Sequence, residues 1–211
     1  MNIENMITYG EPLERASTAV ILVHGRGASA QSLLPLARVL DGPGIAFLLP
    51  QAPGGVWYPY PFMSPIEQNE PQLSAALNHL GEVLALAEQA GITAEHVVLG
   101  GFSQGACLAS EFAARNTRRY QGIAALSGGL IGPFGTPRDY PGSLLGTPTF
   151  VGCGVPDAHI PKERVLETAQ VLEQLGALVT TRLYPGMDHI INDEEIGYVQ
   201  QLIRGSGSFG G

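Results

Sequence analysis

Cysteine is nearly missing from this sequence: Cys107 and Cys153 are the only two in 211 residues. That excludes a scaffold stapled by several disulfides, and a zinc site built from several thiolates. Charged residues are scarce as well, at 14%, and the basic ones are outnumbered 11 to 19, for a net charge of −8. A chain so short of Lys and Arg lacks the broad basic surface that nucleic acid or an anionic membrane requires. No apolar run approaches the roughly 18 residues of a membrane span. The start, Met1-Asn2-Ile3-Glu4-Asn5, has neither the basic residues nor the apolar stretch of a signal peptide. The expectation is a cytoplasmic protein with no stable membrane insertion and no nucleic-acid partner.

What is present points to a packed enzyme-sized domain. Hydrophobic residues reach 45% and the mean hydropathy is +0.13, which excludes disorder as the main state. The length fits a single domain over 1–204, with the Gly- and Ser-rich 205–211 as a flexible tail. Gly and Pro, 28 and 16 in number, collect between short apolar runs at 18–23, 45–49, 96–100, 122–126, 147–152 and 178–184. Runs of this kind read as strands buried on both faces. Helical patterns lie between them, at 32–40, 73–89, 103–115, 165–175 and 194–203. Alternation of the two predicts right-handed crossovers and a mostly parallel sheet with helices on both faces. Residues 6–9 add an antiparallel edge strand. Two long Pro- and Gly-rich stretches, 50–71 and 128–148, have no regular pattern. Long loops of that sort are commonly functional, and both are expected around the mouth of a site.

Gly101-Phe102-Ser103-Gln104-Gly105 matches G-x-S-x-G, follows the apolar run at 97–99 and opens a helical pattern. In that setting Ser103 reads as a nucleophile at a strand-to-helix elbow; without it, the motif is a serine N-cap after a Gly-rich turn. A serine needs a base, and there are five histidines. His79 sits mid-helix and reads as a surface residue, and His96 opens a strand and reads as structural. His24 belongs to the Val23-His24-Gly25-Arg26-Gly27 turn. His189, on the loop after the last predicted strand, is favoured as base over His159. Among Asp139, Asp157, Asp188 and Asp193, Asp157 is favoured as the orienting acid, because it directly follows a strand and gives the order Ser103, Asp157, His189. The alternative for Asp157 is an ordinary Asx-turn. The N–H groups of Arg26 and Gln104 are expected to form an oxyanion hole. The Gly25–Gly27 turn lacks the patterns of a phosphate-binding loop. Trp57, Tyr58, Phe62 and Met63 either line an acyl pocket or pack their own loop. No residues have metal-ligand spacing.

Taken together, Leu22-Val23-His24-Gly25, Gly101-Phe102-Ser103-Gln104-Gly105, Gly154-Val155-Pro156-Asp157 with Pro161, and Gly186-Met187-Asp188-His189-Ile190 resemble the small phospholipase/carboxylesterase family. The resemblance implies an α/β-hydrolase fold without a large cap. It also implies ester or thioester hydrolysis with no cofactor, on a small-molecule ester, by an enzyme whose relatives often form homodimers. Carboxylesterase chemistry is the favoured reading, with lysophospholipase or acyl-protein thioesterase as alternatives. A reading of a different class is a hydrolase-like binding protein without catalysis. A dienelactone-hydrolase-like protein would carry Cys in the elbow, where this chain has Ser103. Cys107 and Cys153 read as buried apolar residues.

Overall fold

The computed structural model describes residues 5–205; the proposed tail, apart from Gly205, lies outside them. Seven strands form one sheet: β1 (Ile7–Gly10), β2 (Thr18–Val23), β3 (Ile45–Leu49), β4 (Val97–Phe102), β5 (Gly122–Leu126), β6 (Pro148–Val155) and β7 (Leu178–Pro185). Their order is β1-β3-β2-β4-β5-β6-β7. Only β1 runs antiparallel, pairing Ile7 with Leu49; the other pairs are parallel. Among the described residues four α-helices lie between strands, α1 (Leu34–Leu40), α2 (Gln72–Gln89), α3 (Gln104–Arg115) and α4 (Lys162–Gln174), and α5 (Asp193–Ile203) follows β7.

The period-2 alternation of each strand divides the core in two. In β2, Ala19, Ile21 and Val23 face a core shared with α2, α3 and α4, while Val20 and Leu22 face a second core with α1 and α5. This double burial explains why the strands read as continuous apolar runs rather than alternating ones. Helix α3 lies against the sheet because glycines replace side chains at the contact. A Cβ at Gly105 would collide with the Val23 carbonyl, and one at Gly101 with the backbone of Gly105.

Two expectations fail. His79 is buried rather than exposed: its ring lies 6.3 Å from that of Trp57 and its Nδ1 is 3.3 Å from Glu82 Oε2. Of the two long loops, only 50–71 reaches the site. Residues 128–148 contribute no wall to the cavity described below. They are instead tied to α3 and α4 by buried charges. Glu111 accepts from Ile131 N–H at 3.0 Å and pairs with Arg115 at 2.7 Å, and Arg164 donates to the Gly132 carbonyl at 2.7 Å.

Parallel strands bring their C-terminal ends to one edge of the sheet, where such folds place their sites. The segments after β2, β3, β4, β6 and β7 therefore meet there.

Candidate active site

Strand β4 ends at Phe102 and α3 begins at Gln104, so Ser103 alone makes the turn. Its backbone adopts φ 56° and ψ −122°, a strained state for a residue with a Cβ. The surroundings enforce it. Ser103 N–H donates to the Leu126 carbonyl at 3.0 Å, and its own carbonyl accepts from Cys107 N–H at 3.0 Å. A Cβ built on Gly25 would stand 3.3 Å from Ser103 Cβ, a tight contact, so glycine there eases the close passage of the neighbouring turn. Behind Ser103 lie the unpaired N–H groups of the first turn of α3, which favour negative charge.

Asp157 follows β6 and His189 follows β7. His189 Nδ1 lies 2.7 Å from Asp157 Oδ2. Asp157 Oδ1 accepts from His159 N–H at 2.7 Å and Ile160 N–H at 3.0 Å. Burial pushes the carboxyl pKa up, but the bonds from His189 and the two backbone N–H groups outweigh it and hold the pKa below the ordinary value. Asp157 is thus an anion that can accept only from Nδ1–H, which leaves Nε2 as the basic nitrogen. Nε2 is buried and has no hydrogen-bond partner among the described residues. The ring of His189 is flanked by Phe102 at 4.8 Å and by His159 at 4.9 Å. A Cβ on Gly154 would collide with the Met187 carbonyl, so glycine in β6 lets the His189 loop lie close to the strand that supplies Asp157.

The turn after β2 completes the edge. Buried His24 accepts from Ala52 N–H at Nε2, 3.1 Å, and so donates from Nδ1 to the Gly25 carbonyl, 2.8 Å. Burial lowers its pKa, against the bond to Gly25, which raises it, and it stays a neutral brace. Trp57 Nε1 donates to the His24 carbonyl at 2.8 Å. Ser103, His189, Arg26 and Gln104 line one cavity of about 660 Å³. Its remaining walls are mainly apolar, including Leu33, Leu36, Phe62, Phe102, Ile160 and Ile191.

Residues 6–206 match the model of the phospholipase/carboxylesterase family. The chain belongs to that family. A phospholipase/carboxylesterase of known structure from Dyadobacter fermentans is 44% identical, with a TM-score of 0.90, over 95% of this chain and 96% of that one. The carboxylesterase SOBER1 of Arabidopsis thaliana is 25% identical over 211 aligned positions, 90% of each chain. Acyl-protein thioesterase 1 of Debaryomyces hansenii is 28% identical over 89% of this chain and 90% of that one. With the acyl-protein thioesterase 1 of Gibberella zeae, 34% identical, the match spans 54% of this chain and only 49% of that protein. The fold is that of the α/β-hydrolases, as in the Dyadobacter protein.

In this phospholipase/carboxylesterase family member the four aromatic-loop candidates divide. Tyr58 and Phe62 line the cavity; Trp57 and Met63 do not. Trp57 is 1% exposed and packs on His24, ring to ring at 4.9 Å. Leu33, Leu36, Ile160 and Ile191 were not singled out by the sequence, because they come from separate segments and carry no motif. Among the described residues no cluster of three or more His, Cys, Asp or Glu could hold a metal. No helix there is long and apolar enough to cross a membrane.

Glu195 also escaped the sequence reading, although Asn192-Asp193-Glu194-Glu195 is a legible capping box. Its Oε2 accepts from Asn192 N–H at 3.0 Å, and its N–H donates to Asn192 Oδ1 at 2.9 Å, fixing the end of the His189 loop. Oε1 is buried over Gly152 without a partner. Burial raises the pKa from 4.5 to about 7, against the Asn192 N–H bond, which lowers it. The folded state therefore binds a proton that the unfolded chain has released, and stability is lost as pH rises from 4.5 to about 7. Glu195→Gln keeps the capping geometry without the charge. Relative to the parent, its Tm should rise by a few degrees on going from pH 5 to pH 8, on the order of 2 kcal/mol. A Tm difference that does not change with pH would contradict the burial of an ionisable proton at this site.

Proposed function

We propose that this chain is a serine carboxylesterase that hydrolyses esters of small to medium acyl groups through an acyl-enzyme at Ser103. The observation that carries the reading is the Asp157–His189 pair at 2.7 Å, whose unengaged Nε2 shares an apolar cavity with the strained Ser103.

That geometry supports an acyl-transfer sequence. Ser103 Oγ attacks the ester carbonyl carbon while its proton passes to His189 Nε2. The carbonyl oxygen takes the negative charge and accepts from the N–H groups of Arg26 and Gln104. The imidazolium is stabilised by ionised Asp157, and returns the proton to the leaving alcohol oxygen as the C–O bond breaks. Water then attacks the acyl carbon, gives its proton to Nε2, and Ser103 leaves with that proton. No redox or metal step is needed. The apolar walls suit an acyl chain, since burying each methylene is worth about 0.8 kcal/mol.

A thioester substrate is the second reading, favoured by the likeness to acyl-protein thioesterase 1 across 90% of that protein. A cytoplasmic location belongs to the same proposal. The test is labelling with a fluorophosphonate, followed by rates on p-nitrophenyl esters of increasing chain length, with acyl-CoA and lysophospholipid alongside. Stoichiometric labelling of Ser103 and turnover of the esters are expected. A folded protein that neither labels nor turns over any of them would be a binding protein, not an esterase.

A further inference from the structure

The Arg26 guanidinium is not aimed at substrate. Its Nη1 donates to the Pro59 carbonyl at 2.8 Å, and its Nη2 to the carbonyls of Tyr58 and Tyr60 at 2.8 and 2.7 Å. Three successive carbonyls of one segment are thus held by one side chain. Gln104 holds the same segment from α3: its Nε2 donates to the Tyr58 carbonyl at 2.9 Å, and its Oε1 accepts from Trp57 N–H at 3.1 Å. Immediately beyond, Pro61 and Phe62 join Tyr58 in the cavity wall. The two residues assigned as oxyanion donors therefore grip the wall of the cavity with their side chains.

The two grips are not equivalent. The N–H of Gln104 belongs to α3, which Gly105 seats directly on the backbone of β2. The N–H of Arg26 belongs to a turn with glycine on either side, and Gly27 sits at φ 73° with open space beside its Cα. Glycine neighbours leave a peptide plane free to rotate. The nearby bonds, Ala28 N–H and His24 Nδ1 to the Gly25 carbonyl at 3.2 and 2.8 Å and Gly27 N–H to the Gly55 carbonyl at 2.8 Å, hold the turn from its Gly25 end and beyond Arg26. The Arg26 side chain supplies the remaining tie, from the Arg26 Cα to the 58–60 segment. Charge-assisted bonds are the strong class, and a planar fork reaches the three carbonyls from two separate nitrogens, where an ammonium must serve them all from one point.

We propose that the Arg26 guanidinium is a strut joining the oxyanion turn to the aromatic wall of the cavity, so that Arg26 is a positioning residue through its side chain. This rests on the esterase reading above. Cutting the strut leaves the N–H present but held only through the Gly25 carbonyl and less well aimed, which harms the transition state more than substrate binding.

The experiment compares the parent, Arg26→Ala and Arg26→Lys on a short neutral ester, together with the affinity of a trifluoromethyl ketone. That ketone adds to Ser103 Oγ, passes the serine proton to His189 and places an oxyanion in the hole. Complete loss of an oxyanion donor costs about 10²–10³. A misaimed one in Arg26→Ala should lower kcat about 10- to 100-fold with KM within about threefold. Ketone affinity should fall in step with kcat. Arg26→Lys should recover only a minor part, and added guanidinium ion, but not urea, should restore Arg26→Ala several-fold. Unchanged kcat and ketone affinity would overturn the proposal, as would a rise in KM alone. If Arg26→Ala does not fold, Arg26→Lys carries the same criteria. A parent enzyme that fluorophosphonate does not label would instead mean that the esterase reading had failed.

Discussion

Ser103→Ala is expected to lose on the order of 10⁴-fold or more in kcat on any ester the parent hydrolyses. The hydroxyl is the only group at the elbow able to bond covalently to the acyl carbon. Without it, turnover rests on water attacking in a cavity that still holds Arg26, Gln104 and the His189 imidazole. The loss should be chemical rather than structural. Alanine keeps the Cβ, so the packing against Gly25 and the two backbone bonds of Ser103 survive. A comparison with Ser103→Gly sharpens the point. Glycine reaches φ 56° without a Cβ penalty, so the Gly variant should be more stable than the Ala variant by about 1 kcal/mol while being equally inactive. Thermal unfolding and initial rates decide it. An alanine variant with parental activity would remove Ser103 from the chemistry.

The shape of the elbow was legible because it depends on local backbone: a strand, one strained residue, a helix, and glycines where the chain passes close. Asp157 and His189 were legible for a related reason, since parallel strands put the residues that follow them on one edge. The strand runs were legible because double burial leaves an unbroken apolar stretch. What could not be read is anything set by side-chain direction in an irregular segment. Trp57 and Tyr58 are neighbours of similar character, yet one braces His24 and the other lines the cavity. The partners of Arg26 are carbonyls, which every residue carries, so no pattern announces them. The loop at 128–148 looked like a mouth loop by composition. Its real anchors, Glu111 and Arg164, are charged residues inside helices, and such residues ordinarily face solvent. His79 was within reach. It lies three residues after Ala76 and four before Val83, on the buried stripe of α2, and its polar identity outweighed that spacing.

Asp157→Asn should cost about 10⁴ in kcat with little change in fold, and the hydrogen bonds of the carboxylate say why. Oδ1 is committed to the N–H groups of His159 and Ile160, at 2.7 and 3.0 Å. An asparagine here must keep its carbonyl oxygen on those two donors. Its NH₂ group then turns to His189 Nδ1, in the place of the oxygen that stood 2.7 Å away. A donor facing Nδ1 requires that nitrogen to be the unprotonated one, which puts the proton on Nε2. The imidazole then has no lone pair for the serine proton. The variant should therefore be inactive with its cavity intact, and should regain rate only where the hydroxyl can lose its proton to solvent, toward high pH. Stability offers an independent check. Because the folded-state pKa of Asp157 is depressed, its contribution is present above the unfolded carboxylate pKa of about 3.9 and is lost as pH falls through the lower folded value. The parent should thus exceed Asp157→Asn in Tm at pH 7, and the difference should shrink in acid. Asp188 is the control, adjacent to His189 in sequence but exposed. Asp188→Asn should stay within about tenfold of the parent, as a surface change away from the reacting atoms. If Asp188→Asn were the crippled enzyme and Asp157→Asn the active one, the orienting acid would have to be reassigned.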